Sequence, residues 1–273
     1  MVGVEMIVIF SDLDGSLLDA ESYSWEAAQP ALDRIGQLGL PLILVSSKTR
    51  AEIENLRVRL KHTHPFVVEN GGAAFLPGGY FGNAPEGAVK RDGYEILEWG
   101  TGHADLVTAL KGASEVSGCP VTSFHEMTVE EVGTATGLPP DQAVLAKQRE
   151  YDEPFLVPEK RRVPALLEAI GRAGFRWTHG GRFYHICGNN DKATAVTKLT
   201  DLYLRKHGTV RTIGLGDSLN DLPLLEAVEK PVLIRSGRAP SLRFRTIGAR
   251  YTRSTGPAGW NEAVLELLSE MAP

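Results

Sequence analysis

The sequence has few of the features that mark secreted, membrane-bound or nucleic-acid-binding proteins. Its two cysteines, Cys119 and Cys187, are far apart and neither belongs to a metal or redox spacing, so we expect two buried free thiols. The formal net charge is −5 and no dense lysine and arginine block is present, which gives no electrostatic support for binding nucleic acid or a membrane surface. No apolar run approaches a transmembrane length, and the start lacks a signal peptide's charged region. We therefore expect a cytoplasmic protein.

The composition is that of an ordinary globular protein. Hydrophobic residues make up 42% of the chain and charged residues 23%, which are usual values for a folded domain. A length of 273 residues suits two moderate domains, or one domain that carries a large insertion.

A short apolar run near the start ends in two carboxylates. The run from Ile7 to Phe10 is apolar at every position, which is typical of a strand buried on both faces in a parallel sheet. Because side chains alternate along a strand, Asp12 and Asp14 project to the same side, and Gly15 permits a sharp turn after them. Taken alone, this D-x-D-G pattern is equally consistent with a plain turn, so the rest of the chain must decide.

Alternating strands and helices predict a doubly wound α/β core with a parallel sheet. The T-x-x-E pattern that begins at Thr49 is a capping box and predicts a helix start there. The predicted order is a helix over 25–38, a strand over 41–45, a helix over 49–60 and a strand over 66–68, then, later in the chain, a helix over 191–205 and strands over 210–215 and 231–234.

The middle of the chain has a different character. A glycine- and proline-rich stretch over 77–92 suggests a connection or a domain boundary, and a mixed set of helices and strands follows it. We therefore predict a discontinuous core, residues 1–84 and 187–273, and an inserted α+β cap domain over residues 85–186.

Polar groups follow the predicted strands at four places in the core. They are Asp12 with Asp14, Ser46, Lys192, and Asp217 with Asp221. The carboxyl ends of parallel strands meet at one edge of a sheet, so these groups can converge. Each also has an ordinary explanation: a plain turn for Asp12 and Asp14, a turn serine, a solvated surface lysine and a helix N-cap. All four explanations holding at once is not expected.

Together these groups predict phosphoryl transfer. Carboxylate and backbone oxygens at Asp12, Asp14 and Asp217 suit Mg²⁺, while Ser46 and Lys192 offer a hydrogen-bond donor and a positive charge to phosphate oxygens. A carboxylate of this group that is left over from metal binding can act as a nucleophile and form an aspartyl-phosphate.

Four segments resemble the four motifs of the haloacid dehalogenase superfamily in order and spacing. They are DLDGS at 12–16, LVSSK at 44–48, NNDK at 189–192 and GLGDSLND at 214–221. The resemblance implies a Rossmann-like core and, for the insertion, a C2-type cap. It also implies that Asp12 is the nucleophile and Asp14 the general acid and base. Ser46 and Lys192 would hold the phosphoryl group, and Asp12, Asp14, Asp217 and Asp221 would hold or support Mg²⁺.

Further segments resemble the mannosyl-3-phosphoglycerate phosphatase family over nearly the whole chain. They are SKTR at 47–50, ENGG at 69–72, QREYDEPF at 148–155, GRFYH at 181–185 and GPAGWN at 256–261. The family removes phosphate to make the compatible solute mannosylglycerate, and some relatives accept the glucosyl analogue. The implied partner is therefore a small phosphorylated sugar-glycerate, with the protein itself a monomer or a small homo-oligomer.

The chemistry of the predicted cap residues is consistent with such a substrate. Arg149 and Arg182 can bind its carboxylate in bidentate fashion, and Glu150 and Glu153 can accept hydrogen bonds from sugar hydroxyls. Lys48 and Arg50 lie near the predicted phosphate edge. The plain alternative for 149–155 is a charged surface turn with internal ion pairs.

Four other functions remain open at this point. A glucosyl-3-phosphoglycerate phosphatase or a broad sugar-phosphate phosphatase would use the same core. A phosphomutase on the same fold would need a bisphosphate sugar activator and would release no phosphate. A non-catalytic phospho-ligand-binding module would be expected to have lost a carboxylate or the lysine, and this sequence has kept all of them.

Overall fold

The computed structural model describes residues 5–180, 182–236 and 243–271. Its strands are β1 (Met6–Ser11), β2 (Leu42–Val45), β3 (Phe66–Val68), β4 (Ala73–Pro77), β5 (Val89–Arg91), β6 (Tyr94–Glu98), β7 (Thr122–Ser123), β8 (Asp152–Leu156), β9 (Arg176–Gly180), β10 (Phe183–Cys187), β11 (Val210–Gly216), β12 (Lys230–Arg235) and β13 (Arg250–Thr255). Its α-helices are α1 (Gln29–Leu38), α2 (Arg50–Leu60), α3 (His103–Ser117), α4 (Val129–Thr136), α5 (Pro140–Ala146), α6 (Val163–Arg172), α7 (Lys192–His207), α8 (Leu222–Glu226), α9 (Arg243–Thr246) and α10 (Gly256–Met271).

The core is a nine-stranded sheet in the order β13-β12-β11-β1-β2-β3-β4-β6-β5. The strands from β13 to β3 run parallel, and the last three pair antiparallel. The predicted α/β class with a doubly wound parallel sheet is therefore confirmed. The chain order reverses around β1, which lies between β11 and β2, and open α/β sheets bind ligands at such a switch point.

Strand β1 is buried on both faces because helices cover the sheet on either side. Ile7 and Ile9 pack into one apolar cluster that includes residues of α1, α2 and α10. Val8 and Phe10 pack into the opposite cluster with residues of α7 and α8. This alternation explains why the run is apolar at every position.

Helix α2 begins at the predicted capping box. The Thr49 hydroxyl accepts a hydrogen bond from the Glu52 backbone N–H at 3.1 Å, and the Glu52 carboxylate accepts one from the Thr49 N–H at 2.9 Å. The helix start is therefore fixed beside the end of β2, where Ser46 and Lys48 lie.

The core sheet extends past the predicted boundary at residue 84. Strands β5 and β6 pair with each other, and β6 pairs with β4 of the core. The glycine- and proline-rich stretch is therefore not a linker between domains but contains β5 and part of its hairpin. The hairpin turns at Asp92 and Gly93, both of which have positive φ, as a two-residue turn of this kind requires.

The inserted domain is a four-stranded antiparallel sheet in the order β7-β8-β10-β9 with helices against it. Helices α3 and α6 pack with β8 and β10 around Leu106, Leu166 and Phe155. Helices α4 and α5 form a smaller cluster with Phe124 and Phe183. The return to the core follows Cys187, the last residue of β10. In the described part of the chain, no helix combines the length and apolarity that crossing a bilayer requires.

Candidate active site

The polar groups predicted from the core motifs lie at the carboxyl edge of the sheet around β1. Asp12 directly follows β1 and donates its backbone N–H to Leu215 of β11 at 2.9 Å. Gly15 then turns the chain with a φ of +79°, and a Cβ atom there would lie 2.8 Å from Oδ2 of Asp217. Only glycine allows the loops after β1 and β11 to approach this closely.

Lys192 connects two of these carboxylates. Its Nζ atom lies 2.7 Å from Oδ1 of Asp12 and 2.6 Å from Oδ1 of Asp221. The lysine is 1% exposed and stands behind Asp12. Although burial disfavours its charge, the carboxylates of Asp12 and Asp221 raise the pKa of Lys192 above its ordinary value. The ammonium therefore stays charged and neutralises the carboxylates around it.

Asp12 is a buried carboxyl in an acidic neighbourhood. Burial and then the charge of Asp221 raise the pKa of Asp12 well above its usual range, while Lys192 acts against both effects. Among the described residues, only Lys192 hydrogen-bonds to this carboxyl, through Oδ1. Asp12 also lines the cavity between core and cap, where its second oxygen can meet an electrophile.

Asp221 holds the loop after β11 in place. Its Oδ2 accepts hydrogen bonds from the backbone N–H groups of Asp217 and Ser218, both at 3.1 Å, and from the Ser218 hydroxyl at 3.1 Å. Its Oδ1 is engaged by Lys192. With both oxygens occupied, Asp221 supports the position of Asp217, which also lines the cavity.

Asp14 lies opposite Lys48. Oδ2 of Asp14 is 3.0 Å from Nζ of Lys48, which also lies 3.5 Å from Glu52. Although burial opposes its charge, these two carboxylates raise the pKa of Lys48 above its ordinary value. Oδ1 of Asp14 is buried without a hydrogen-bond partner. Its side chain as a whole is 40% exposed and lines the cavity between core and cap.

Ser46 reaches the same sheet edge but does not line the cavity. It is buried, and its hydroxyl oxygen accepts the Lys48 backbone N–H at 3.2 Å. Ser47 and Lys48 form the cavity wall at this place instead.

A cavity of about 1750 Å³ separates these core groups from the cap. Asp12, Asp14, Lys48 and Asp217 line its core side. The residues that line its cap side include Phe124, Arg149, His179, Arg182, Phe183 and His185. The space is large enough for a ligand with a sugar and a charged tail.

The structure brings two of the predicted cap residues to this cavity. Arg149 is buried, and its guanidinium donates to the Ser47 carbonyl at 2.7 Å and lies 3.0 Å from Oδ1 of Asp152. Its Nε is buried without a partner. Arg182 is exposed and donates to the Ala135 carbonyl at 3.0 Å; Gly181, before it, lies outside the described residues.

Three other predicted substrate residues do not line the cavity, which corrects their predicted placement. Arg50 pairs with Glu54 and Asp92 at the edge of the core. Glu150 lies 3.4 Å from Arg91.

Glu153 is fully buried. It accepts hydrogen bonds from the His125 backbone at 2.6 Å and pairs with His103 at 2.7 Å. Because its carboxylate oxygens are used inside the cap, it has none to offer a sugar.

Sequence reasoning gave no role to several residues that the structure places at the site. Asp152 is fully buried and pairs with both Arg149 and His185, the latter at 2.9 Å. His185 and Asn220 line the cavity. Asp152 and His185 stand in two of the segments that carry the family resemblance, which was the available signal.

The residues present fit a divalent cation. One carboxylate oxygen from each of Asp12, Asp217 and Asp221 falls within 4.8 Å of the others, and carboxylate oxygens are the donors that Mg²⁺ prefers. Hydrogen bonds occupy both oxygens of Asp221, whereas Asp12 and Asp217 line the cavity, where a cation could reach them.

Fold and site together define a haloacid dehalogenase-like hydrolase. The profile of haloacid dehalogenase-like hydrolases matches residues 9–78. A Methanococcoides burtonii protein named glucosyl-3-phosphoglycerate/mannosyl-3-phosphoglycerate phosphatase is 41% identical over 96% of this chain and 97% of its own. A Persephonella marina protein of the same name is 38% identical over 97% and 98%. The chain belongs to this family of phosphatases, and it is an enzyme that hydrolyses phosphoric monoesters.

More distant relatives agree with this assignment. A mannosyl-3-phosphoglycerate phosphatase of Pyrococcus horikoshii is 34% identical over 84% of this chain and 90% of its own. Among solved structures, a sugar phosphatase of haloacid dehalogenase subclass IIB superposes with a TM-score of 0.65 at 16% identity, covering 96% of this chain and 99% of that one. A haloacid dehalogenase-like hydrolase from Bacteroides thetaiotaomicron gives a TM-score of 0.67 at 16% identity, covering 96% and 100%. These structural matches support the fold.

Proposed function

We propose that this enzyme is a Mg²⁺-dependent phosphatase that hydrolyses mannosyl-3-phosphoglycerate to mannosylglycerate and phosphate through an aspartyl-phosphate. The observation that carries the proposal is one cavity with Asp12, Asp14 and Asp217 on its core side and Arg149 and Arg182 on its cap side. The names of the relatives that match nearly the whole chain supply the substrate.

Asp12 and Asp14 divide the chemical work. A carboxylate oxygen of Asp12 attacks phosphorus, and the bond from phosphorus to the glycerate oxygen breaks as the new bond forms. Asp14 gives its proton to that leaving oxygen and becomes a carboxylate. It then takes a proton from the water that attacks the aspartyl-phosphate, which releases phosphate and restores both residues.

The positive charges of the site favour these steps. Lys192 holds Oδ1 of Asp12 and so directs the other oxygen towards the cavity. Nζ of Lys48 lies 3.0 Å from Oδ2 of Asp14 and places a positive charge beside the carboxyl that transfers the protons. Asp12 and Asp217, with the Asp14 backbone, would hold Mg²⁺, which would neutralise charge on the phosphoryl oxygens.

The cap side suits the rest of the substrate. The unpartnered Nε of Arg149 and the exposed guanidinium of Arg182 offer donors to a glycerate carboxylate. Phe124 and Phe183 pack edge to face at 5.0 Å between ring centroids, and both line the cavity. They offer an apolar surface to a sugar ring. Closure of the cap over such a ligand would exclude bulk water.

A glucosyl substrate is the second candidate. The two relatives that match at 41% and 38% identity are named for both the glucosyl and the mannosyl compound, whereas two relatives named for the mannosyl compound alone match at 37% and 34%. We infer that the enzyme accepts both epimers.

Phosphate release from a panel of substrates tests the proposal. The panel contains mannosyl- and glucosyl-3-phosphoglycerate, 3-phosphoglycerate, mannose 6-phosphate and an aryl phosphate, each with and without Mg²⁺. We expect kcat/KM for the two glycosyl compounds to exceed the others by about 100-fold or more. Faster release from free hexose phosphates would indicate a broad sugar phosphatase. Absence of release with retained binding would indicate a ligand-binding module.

A further inference from the structure

Four residues of the core, Glu69 to Gly72, form what we call the junction loop. Its backbone N–H groups bind the segment after β2, with Glu69 donating to the Lys48 carbonyl at 3.1 Å and Asn70 to the Ser46 carbonyl at 3.0 Å. The loop also lies against the start of α7, since a Cβ atom on Gly71 would fall 2.1 Å from the Asp191 carbonyl oxygen. It therefore contacts the segments that carry Ser46, Lys48 and Lys192.

The junction loop also holds the cap. The buried carboxylate of Glu69 accepts backbone N–H groups of Glu150 at 3.0 Å, Tyr151 at 2.8 Å and Asp152 at 2.8 Å. A Cβ atom on Gly72 would fall 2.3 Å from Cβ of Tyr151. The beginning of β8 is thus fixed to the core at this loop.

The side chain of Asn70 bridges the cap and the catalytic loop. Its Nδ2 donates to Oδ2 of Asp152 at 3.1 Å, and its Oδ1 accepts from Nδ2 of Asn220 at 2.9 Å. Asn70 is 2% exposed and its bond to Asp152 is buried, whereas its bond to Asn220 is partly buried. Its backbone has a φ of +58°, a conformation that asparagine tolerates better than most residues.

Each end of this bridge leads to groups that face the cavity. Oδ2 of Asp152 also binds Nδ1 of His185, and Oδ1 faces Arg149. At the other end, Asn220 stands in the loop between Asp217 and Asp221. The amide of Asn70 is thus a direct link between Asp152, the carboxylate that contacts both Arg149 and His185, and the loop that carries Asp217.

We propose that Asn70 is a positioning residue that couples Arg149 and His185 of the cap, through Asp152, to the loop of Asp217 and Asp221. A ligand that contacts the cap groups then fixes Asp152, and Asn70 passes this constraint to Asn220. The coupling gives a substrate with a sugar-glycerate portion an advantage that a small phosphate ester lacks, because the small ester does not reach the cap groups.

The first test compares two substrates and rests on the proposed function. Asn70→Gly removes both side-chain bonds and keeps the backbone conformation, since glycine accepts a positive φ. At a Mg²⁺ concentration that saturates every variant, we expect kcat for mannosyl-3-phosphoglycerate to fall about tenfold and kcat for an aryl phosphate to change by less than about twofold. Asn70→Asp, which loses the donor to Asp152, should have the same selective effect. Equal losses on both substrates would overturn the proposal.

The second test does not depend on the substrate. Mg²⁺ binding is measured by titration calorimetry on the ligand-free enzyme, for wild type, Asn70→Gly, Asn220→Ala and the double variant. We expect each single change to weaken binding about three- to tenfold and the double variant to match the weaker single variant, since both break the same bridge. If the product of the two single-variant effects on Mg²⁺ affinity equalled the effect of the double variant to within a factor of two, the coupling would be overturned. This holds even if the enzyme prefers the proposed substrate.

Asn261 supplies a matched structural control. Its side-chain oxygen accepts the Ala31 backbone N–H at 2.9 Å. This bond joins α10 to α1 in the layer of helices that covers one face of the core sheet. Asn261→Ala should lower the melting temperature without changing the substrate ratio or the Mg²⁺ affinity. If it changed the substrate ratio as Asn70→Gly does, the effect of Asn70→Gly would be a general loss of stability and the proposal would fail.

Discussion

The Nζ atom of Lys192 lies 2.7 Å from Oδ1 of Asp12 across 180 residues of sequence. The same ammonium contacts Asp221 at 2.6 Å, so one buried cation offsets two carboxylates. Asp12 nevertheless keeps a raised pKa because burial and Asp221 outweigh the lysine. Asp12 is therefore held in a position that is costly for its charge, and a cation bound beside it would relieve that cost.

Asp12→Asn should abolish turnover and leave the fold intact. An amide is a poor nucleophile, so phosphate release should fall by about 10³-fold or more. The substitution removes one of the crowded carboxylates, so the melting temperature should stay the same or rise. Asp33→Asn, at an exposed position of α1, is the matched control and should keep full activity. Substantial turnover by pure Asp12→Asn enzyme would disprove the assignment of the nucleophile.

Lys192→Met should destabilise the fold as well as inactivate the enzyme. Removal of the ammonium leaves the carboxylates of Asp12 and Asp221 buried without their cation. Loss of one partner of a buried ion pair typically lowers the free energy of unfolding by about 3–5 kcal/mol. The free energy of unfolding, measured in urea at pH 7.5, should fall by that order. Asp12→Asn in the Lys192→Met background should recover part of the loss, since it removes one unpaired charge. A double variant less stable than Lys192→Met would contradict this account.

The sequence predicts the core well because its signals are local. The apolar run of β1, the capping box at Thr49 and the carboxylates after the strands each fix a structure within a few residues. The predicted boundary at residue 84 lies before β5 and β6, which the Asp92–Gly93 turn joins and which pair within the core sheet. Short, exposed strands such as β5 have no apolar periodicity, so the pattern alone did not reveal them.

The cap site was harder to predict because its residues are defined by their partners. Arg149 and Glu153 lie in one charged segment, yet Arg149 lines the cavity and Glu153 pairs with His103 inside the cap. A sequence cannot show which of two neighbouring charges is used internally. The bridge from Asn70 to Asp152 and Asn220 joins three separate segments and appears only when they are folded together.

Removal of divalent metal should abolish activity, and Mg²⁺ should restore it. Dialysis against EDTA removes the divalent cation that the carboxylates of Asp12 and Asp217 are suited to bind. Added Mg²⁺ should also raise the melting temperature, because a ligand that binds only the folded state stabilises it. Asp217→Asn should raise the Mg²⁺ concentration for half-maximal activity by about tenfold or more. Full activity in EDTA would exclude metal dependence.

Arg182→Ala should affect binding of the glycerate group selectively. Arg182 is exposed and lines the cavity, so its removal leaves no buried charge unpaired. We expect KM for mannosyl-3-phosphoglycerate to rise about tenfold, with KM for an aryl phosphate unchanged. Arg172→Ala, an exposed cap arginine paired with Glu168, is the control. Equal effects of Arg182→Ala on both substrates would argue against a carboxylate contact.

Arg149→Ala should behave differently because Arg149 is buried and faces Asp152. In addition to the selective loss on the glycerate substrate, the variant should lose about 3 kcal/mol or more of unfolding free energy, since the Asp152 carboxylate is left without its cation. Urea unfolding at pH 7.5 measures this loss. Unchanged stability would mean that His185 and Asn70 suffice to hold Asp152.

His62 should make the stability of the core depend on pH. Its Nδ1 accepts the Nε–H of Arg57 at 3.0 Å and its Nε2 bonds the Leu42 carbonyl at 2.7 Å, an arrangement that requires a neutral ring. Burial, with the charge of Arg57 acting in the same direction, lowers the pKa of His62 from 6.5 to about 3. The unfolded chain therefore takes up the proton first as the pH falls. The stabilisation is complete above pH 6.5 and is lost as the pH falls towards 3, by about 2 kcal/mol at pH 5.

Urea unfolding of wild type and His62→Gln at pH 7.5 and pH 5.0 measures this contribution. Glutamine can keep a donor for Leu42 and an acceptor for Arg57 but cannot titrate, so the variant should lose about 2 kcal/mol less than wild type between the two pH values. His207→Gln, at an exposed position near the end of α7, should follow the wild-type slope. If His62→Gln followed that slope too, the ring would be protonated to the same extent in the folded and unfolded chain, and its bond to Arg57 could not persist.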